Sequence, residues 1–248
     1  MAISAMLVVA PLFCATVNWG VDRLVYRPIR HAPKLTVLVS AIGVSFVFVN
    51  LGMFWGGLPM DVFGGGNSAA SPRSFPELLG NANLLGADAP VEIRAKEVLV
   101  FAVTLPLLGL LTWLIKGTSL GRAMRACAQN PVAARLMGID VDRVIGRTFV
   151  IGGALAGVAS VIASLYSNTI SFQMGFRGGM DAFTAAVLGG IGNLPGAVIG
   201  ALVIGLVRSY TQFALSDEWA SVMVFAVLIL ILVFRPSGIL GSPAREKV

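Results

Sequence analysis

Long apolar stretches without charge alternate with short polar segments along this chain. The uncharged runs cover residues 2–21, 35–60, 98–115, 148–176, 182–207 and 219–234. A helix needs about 20 mainly apolar residues to cross the hydrocarbon core of a bilayer. The first, second and fourth runs are long enough without further argument, whereas the other three need the topology to interpret them. The pattern therefore predicts an all-α fold, a polytopic bundle of transmembrane helices.

The polar segments between the runs differ in charge, and this difference predicts the side of the membrane that each one faces. Residues 22–34 and 116–147 are rich in Arg and Lys, whereas residues 56–97 contain more acidic than basic residues and several prolines. Loops rich in Lys and Arg remain on the cytoplasmic side. We therefore predict that 56–97 is an external loop with a short interfacial element around 75–80, and that 116–147 is a cytoplasmic loop.

The composition agrees with a protein surrounded by lipid. Hydrophobic residues make up 56% of the chain and charged residues 12%, about half the charged fraction of a typical soluble domain. The net charge of +6 lies mainly in the basic segments, so it indicates membrane orientation and not nucleic-acid binding. GxxxG spacings such as Gly153 with Gly157 and Gly196 with Gly200 allow helices to approach closely, although such spacing often arises by chance in a Gly-rich chain.

A Gly/Pro-rich segment interrupts the apolar pattern near the C-terminus. The tail from Arg235 is basic and is expected in the cytoplasm, so an even number of crossings must separate it from 116–147. Only three apolar runs lie between them, and one must therefore hold two passes. We predict a broken helix pair, with a helix at 180–190 running inward and a helix at 196–214 running outward. One long kinked helix, which would place the tail outside, is the alternative.

The turn of this broken pair is assigned to residues that interrupt helices. Glycine gives a helix no side-chain support, and proline removes a backbone donor. Helices broken in this way are known devices of transporters. The predicted cytoplasmic-side turn contains Gly189, Gly190, Gly192, Pro195 and Gly196.

A short helix is predicted inside the second basic loop. Asn130 is a suitable N-cap and Pro131 suits the first helical position, so the helix should cover 131–137. Gly138 is expected to end it. This places a short amphipathic helix in the cytoplasm between two membrane passes.

The composition of this short helix suggests a docking element. The small side chains of Ala133 and Ala134 would allow it to enter a cleft of a soluble partner, with Arg135 at the rim. The simpler interpretation is an ordinary helix that lies at the membrane interface. The residues alone leave both open.

Catalytic and metal-binding motifs are absent from the sequence. It contains no GxxxxGK[ST] segment for ATP, and no HExxH or GxSxG motif. Cys14 and Cys127 have no CxxC partner and His31 is the only histidine, so we predict no metal site and no cofactor. The runs 35–60 and 148–176 lack ionisable residues, and Asp181 lies at the edge of its run. This argues against a proton-coupled carrier.

Several blocks in sequence order carry a resemblance to a known family. They read VYRPIRHAPKLTVLVSAIG, GRAMRACAQNPVAARLMGIDVDRV, TFVIGGALAGVAS, AFTAAVLGGIGNLPGAVIGALVIGLV and FRPSGILGSPAREKV. With these blocks the chain resembles the permease subunit of branched-chain amino acid ABC transporters. The resemblance covers nearly the whole chain apart from the external loop.

The resemblance implies roles for particular segments. The loop 116–147 is similar to the family's coupling loop, which fits into an ATP-hydrolysing subunit. That role falls on Asn130, Ala133, Ala134, Arg135, Gly138 and Ile139. Family members usually begin with further transmembrane helices, so residues 1–248 are expected to form one permease domain that starts where the family's third helix would be under way.

The resemblance also implies a function and partners. The expected function is translocation of leucine, isoleucine or valine across the bacterial inner membrane, by a non-enzymatic subunit of an ABC importer. The implied partners are a second homologous permease, two ATP-binding subunits and a periplasmic substrate-binding protein. The alternatives are a permease for urea, short amides or other amino acids, and a membrane scaffold that transports nothing.

Overall fold

The structure is a computed structural model that describes residues 2–30, 32–57, 72–74, 94–190, 192–235 and 237–241. The predicted interfacial element around 75–80, most of the predicted external loop and His31 lie outside these residues. The chain forms two compact units, Met1–Phe172 and Gln173–Val248, which subdivide the segment predicted as one permease domain.

The described part of the first unit is almost entirely helical. A π-helical turn, Asp22–Tyr26, joins the first two helices, and Arg73–Ser74 pairs with Thr169–Ile170 as antiparallel strands β1 and β2. The helices are α1 (Ala2–Val21), α2 (Arg27–Ile29), α3 (Lys34–Gly57), α4 (Ala95–Gly117), α5 (Ser119–Gln129), α6 (Pro131–Leu136) and α7 (Val141–Ser167).

The second unit is a helix hairpin followed by a third helix. Its helices are α8 (Met174–Gly189), α9 (Leu194–Ala214) and α10 (Asp217–Phe234). A buried cluster that includes Leu188, Ile204 and Val224 holds the three together. The predicted break is therefore present, and the alternative of one continuous helix is wrong. The first helix of the pair begins at Met174 and not at residue 180, and the second begins two residues earlier than predicted.

The predicted polytopic helical bundle is confirmed. Within the described residues, five helices are long and apolar enough to cross a membrane: Ile3–Ile29, Ala95–Gly117, Val141–Ser167, Leu194–Ala214 and Asp217–Phe234. A shorter apolar helical stretch covers Val39–Phe54. Large apolar side chains are exposed along these helices, as expected where the surrounding medium is lipid.

Several polar segments contain more helix than their charge pattern suggested. Residues 22–29 continue the first helix through the π-helical turn. Residues 116–147 hold α5 and α6 together with the ends of α4 and α7. The predicted external loop is shorter than 56–97, because α3 extends to Gly57 and α4 begins at Ala95.

Close backbone contact joins α1 to α7. A Cβ atom added at Gly153 would lie 2.6 Å from the carbonyl oxygen of Cys14, and one added at Gly157 would lie 2.6 Å from the Cα atom of Pro11. Real Cβ atoms do not approach that closely, so only glycine fits at either position. The GxxxG spacing on α7 therefore marks a true helix–helix contact, as small residues do in membranes.

This contact predicts different effects for two neighbouring glycines. Gly153→Ala should lower the free energy of unfolding by about 1–3 kcal/mol, because the methyl group overpacks the α1–α7 contact. Gly152→Ala is the matched control: no atom lies within 4 Å of its Cβ position, and alanine favours a helix by up to about 1 kcal/mol over glycine. Thermal unfolding of the detergent-solubilised variants measures the difference. Equal effects of the two substitutions would contradict the close contact.

Candidate functional site

The short helix α6 has a defined beginning. The side-chain oxygen of Asn130 accepts hydrogen bonds from the backbone N–H groups of Val132 and Ala133, both at 3.0 Å. Pro131 occupies the first helical position, where no N–H is needed. The predicted cap is confirmed, and it satisfies donors that would otherwise lack partners at the helix start.

The end of α6 is equally well defined. Gly138 has φ +80°, a left-handed conformation that favours glycine. Its N–H donates to the carbonyl of Arg135 at 3.0 Å, and the N–H of Ile139 donates to the carbonyl of Ala134 at 3.0 Å. This pair of bonds is a Schellman motif. The helix ends at Leu136, one residue before the predicted end, with Gly138 just beyond it as expected.

The two adjacent alanines of α6 have opposite environments. Ala134 is buried, at 4% exposure, where α6 packs against α5 and the start of α7. Ala133 is exposed. The sequence analysis expected both alanines to be available to a partner. In the structure only Ala133 is exposed.

An apolar surface on α6 faces outward. Leu136 is 85% exposed and Met137 is 82% exposed, and Val132 is exposed as well. The helix α6 is not one of the membrane-length helices, so this apolar surface is not part of a membrane span. We call Val132, Ala133, Leu136 and Met137 the α6 face. The sequence analysis named Ala133 and missed the three larger residues, although their spacing around the alanines was a visible signal.

A tight corner positions α5, the helix before α6. The hydroxyl of Thr118 accepts a hydrogen bond from the N–H of Gly121 at 3.1 Å, and it donates to the carbonyl of Leu114 at 2.6 Å. A side chain at Gly121 would overlap the carbonyl oxygen of Ile115 at the end of α4. Arg125 also donates to that carbonyl. The corner fixes the direction in which the chain leaves the membrane-length helix.

A cluster of charges joins the start of α7 to the end of the first helix. Arg30 donates to the carboxylates of Asp22 and Asp142, and it is 11% exposed while Asp22 is 7% exposed. Burial alone would lower the pKa of Arg30, but its hydrogen bonds and charge interactions with both carboxylates outweigh this effect, and the net pKa is raised. Asp142 is 40% exposed, so only the pair of Arg30 with Asp22 is buried, and breaking a buried pair typically costs about 3–5 kcal/mol.

A polar cavity of about 450 Å³ opens beside this cluster. Its lining contains more arginines than carboxylates, which agrees with the basic character that predicts the cytoplasmic side. The charged residues that line it are Asp22, Arg23, Arg27, Asp140, Asp142, Arg143 and Arg147.

The broken-helix turn depends on glycine at each side. A side chain at Gly189 would overlap the carbonyl of Gly196, and one at Gly196 would overlap the carbonyl of Gly189. Gly190 and Gly192 have φ values of +106° and +91°, which other residues rarely adopt. Asn193 is the N-cap of α9, because its side-chain oxygen accepts a hydrogen bond from the N–H of Gly196 at 3.3 Å.

The second helix of the pair has a proline in its first turn. Pro195 lies in the first turn of α9, where a missing N–H costs nothing. The structure therefore brings the predicted residues Gly189, Gly190, Gly192, Pro195 and Gly196 together at one end of the hairpin.

The segment after α10 covers this turn, which the sequence analysis did not foresee. The N–H of Ile239 donates to the carbonyl of Leu188 at 2.8 Å, and the N–H of Leu240 donates to that of Gly189 at 3.1 Å. The side-chain amide of Asn193 donates to the carbonyl of Leu240 at 2.7 Å. The turn and the end of α10 therefore lie at the same end of this unit.

An ion pair across the hairpin was also missed. Arg208 on α9 donates to Asp181 on α8. The sequence placed Asp181 at the edge of an uncharged run and did not consider Arg208, which follows the same run at its other end. The signal was a pair of opposite charges flanking residues 182–207. Finding the pair required knowing that this run folds back on itself.

Known proteins resemble the chain over nearly its whole length. A family described as the permease component of branched-chain amino acid transport systems matches residues 1–232. The high-affinity branched-chain amino acid transport permease LivH of Escherichia coli K12 is 39% identical over 248 residues, which are 99% of this chain and 77% of LivH. Its counterpart BraD of Pseudomonas aeruginosa is 37% identical over 249 residues, which are 100% of this chain and 76% of BraD.

Similarity extends more weakly to a permease for another class of solute. The ribose import permease RbsC of Haemophilus influenzae is 27% identical over 161 residues, which are 62% of this chain and 47% of RbsC. No solved structure matches the chain.

The burial of the α6 alanines predicts unequal effects of the same substitution. Ala134→Glu should lower the free energy of unfolding by on the order of 3 kcal/mol, because it buries an unpaired charge in a filled contact. Ala133→Glu is the matched control and should change it by less than about 0.5 kcal/mol, as is usual for surface positions. Unfolding in detergent, together with the amount of each variant in membranes, gives the comparison. A stable Ala134→Glu variant would show that α6 is not packed as described.

Proposed function

The chain belongs to the family of branched-chain amino acid transport permeases, and we propose that it imports leucine, isoleucine and valine as the permease subunit of an ABC importer. It is a multi-pass membrane protein. The substrate class rests on the relatives LivH and BraD, which are high-affinity branched-chain amino acid permeases. In this proposal the chain lies in a bacterial inner membrane and receives its substrate from a periplasmic binding protein.

The α6 face is the observation that carries the proposal. The sequence has no P-loop, so work from ATP must reach this chain through contact with another subunit. Such a contact needs a firm element with apolar side chains free to enter a partner. The helix α6 has a complete cap at both ends and exposes Leu136 and Met137. We assign it as the docking site of an ATP-binding subunit, with a second permease completing the pathway.

The roles of the sequence-predicted residues follow from their positions in α6. Asn130 and Gly138 fix its two ends, and Ile139 completes the final hydrogen bond. Arg135 is exposed and suits the rim of the interface. Ala133 contributes to the docking surface, whereas Ala134 holds α6 against its own chain.

The direction of the chain through the membrane follows from the same assignment. With α6 in the cytoplasm, α7 runs outward, α8 runs inward and α9 runs outward. The helix α10 then returns to the cytoplasm beside the broken-helix turn. The shared position of that turn and the segment after α10 supports this path, and so does the basic residue Arg235.

Thiol labelling tests this orientation. In a variant with Cys14 and Cys127 replaced by serine, Leu136→Cys should react with an impermeant thiol reagent only after the cells are permeabilised. Leu215→Cys, between α9 and α10, should react in intact cells, because the proposed path places it outside. Both residues are exposed, so access to the membrane side decides the result. Labelling of residue 136 in intact cells would contradict both the orientation and the docking role.

Substitution on the α6 face tests the coupling itself. Leu136→Glu should abolish co-purification of the ATP-binding subunits and uptake of leucine, because it places a charge in an apolar contact. Hot-spot losses of about 2–4 kcal/mol correspond to a reduction of affinity by about 30- to 1,000-fold. The variant should reach the membrane at the normal level, since Leu136 has few contacts within the chain.

Leu215→Glu is the matched control for this experiment. It makes the same change at an exposed leucine outside the spans and, in the proposed path, on the opposite side of the membrane. It should therefore leave co-purification of the ATP-binding subunits unchanged. If Leu136→Glu keeps both the ATP-binding subunits and uptake, α6 is an ordinary interfacial helix.

A further inference from the structure

The ion pair between Arg208 and Asp181 joins α8 to α9, and α9 is one of the membrane-length helices. At about 1.5 Å per residue, Asp181 is about 12 Å from the end of α8 at Gly189. Arg208 is about 21 Å from the start of α9 at Leu194. Neither position is close to the turn, and Arg208 is the charged residue of the span Leu194–Ala214.

Both partners of this pair are accessible in the chain. The side chain of Arg208 is 30% exposed and that of Asp181 is 35% exposed. Charged side chains at membrane depth avoid lipid and face a bundle interior or a water-filled path. We therefore expect the exposed side of the pair to face a polar space.

Much of the hydrogen-bonding capacity of the pair is unused. The described residues supply one contact, from Nη1 of Arg208 to Oδ2 of Asp181. A guanidinium group has five N–H donors and a carboxylate has two acceptor oxygens. Groups left unpaired in apolar surroundings are costly, so water or a solute must satisfy the remainder.

Glycines leave room beside each charge. Gly178 lies three residues before Asp181, and Gly205 lies three residues before Arg208, so each shares a helix face with its charged neighbour. A Cβ atom at either glycine would meet nothing within 4 Å. Glycine inside a helix costs about 1 kcal/mol relative to alanine, and packing within this chain does not require it at these two positions.

We propose that Arg208 and Asp181 hold the zwitterionic head group of an α-amino acid during its passage through the membrane. The guanidinium fork suits the substrate carboxylate, which it can bind through two parallel hydrogen bonds. The carboxylate of Asp181 suits the α-ammonium group. This inference rests on the proposed function and adds to it the chemical class that the pathway recognises, which excludes uncharged solutes such as urea.

Neutralising both charges together separates this role from a purely structural ion pair. The variants are Asp181→Asn, Arg208→Met and the double variant, each reconstituted with the second permease, the ATP-binding subunits and the binding protein. The measurement is the rate of leucine uptake into proteoliposomes at saturating loaded binding protein. We expect all three variants to be at least tenfold slower than the wild type, while the double variant keeps its subunits because it leaves no charge unpaired.

A structural pair gives a different pattern. If the ion pair only stabilised the hairpin, the double variant would recover uptake to within twofold of the wild type. This result would overturn the proposal. Arg208→Lys gives a second check that does not depend on the folding of a neutral variant. It keeps the charge but lacks the fork, so we expect uptake at least threefold slower, and a normal rate would count against the proposal.

Two further comparisons complete the design. Arg177→Met removes an exposed charge nearer the start of α8 and should leave uptake unchanged. A wild-type complex that imports no amino acid would refute the proposed function itself. A wild-type complex that imports leucine at the same rate as the double variant would refute only the assignment of this pair.

Discussion

Backbone hydrogen bonding in apolar surroundings is the constraint on which the rest of this structure depends. An unpaired N–H or C=O group in apolar surroundings costs several kcal/mol, so a helix can stop there only if other groups complete its end. The helix α8 stops at Gly189, and backbone N–H groups of Ile239 and Leu240 bind its last carbonyls. The break in the hairpin therefore depends on a segment that lies beyond the next two helices.

The glycines follow from this constraint. Backbones must touch for the segment after α10 to reach the end of α8, and side chains would prevent it. A Cβ atom at Gly238 would lie 2.6 Å from the Cα atom of Gly190, and a Cβ atom at Gly190 would lie 2.6 Å from the Cα atom of Gly241. Gly153 and Gly157 permit the same close approach of two backbones where α7 meets α1. In lipid the hydrophobic effect does not drive helices together, so close packing and hydrogen bonds must hold them.

The sequence could predict whatever depends on local chemistry. Apolar length identified the helices, and Asn130 and Gly138 identified α6, because capping residues act within a few positions of themselves. The even number of membrane crossings expected between the two basic segments also located the broken pair. The helix α5 was missed because its small and basic residues read as a loop. The sequence could not predict that Ala134 is buried while Ala133 is exposed, because this difference depends on how α6 packs against other helices.

Contacts between residues far apart in the sequence also escaped prediction. Each of Arg30, Asp142, Asp181 and Arg208 was visible as a charge near the end of an apolar run, but nothing in the sequence names its partner. Pairing them requires the helix directions and the rotation of each helix about its axis, which tertiary packing sets. The two ion-paired groups therefore appear only in the folded chain.

The charge cluster around Arg30 shows how a displacement of α6 would reach the membrane-length helices. The segment Asp140–Asp142 connects α6 directly to α7, and Asp142 is held by Arg30, which also holds Asp22 at the end of the first helix. A force on α6 that moved the start of α7 alone would separate Asp142, which is 40% exposed, from the buried guanidinium group of Arg30. Moving α7 and the first helix together keeps the cluster and the glycine contact at Gly153 intact. A joint movement of α1 and α7 is therefore the response to a force on α6 that leaves all of these contacts in place.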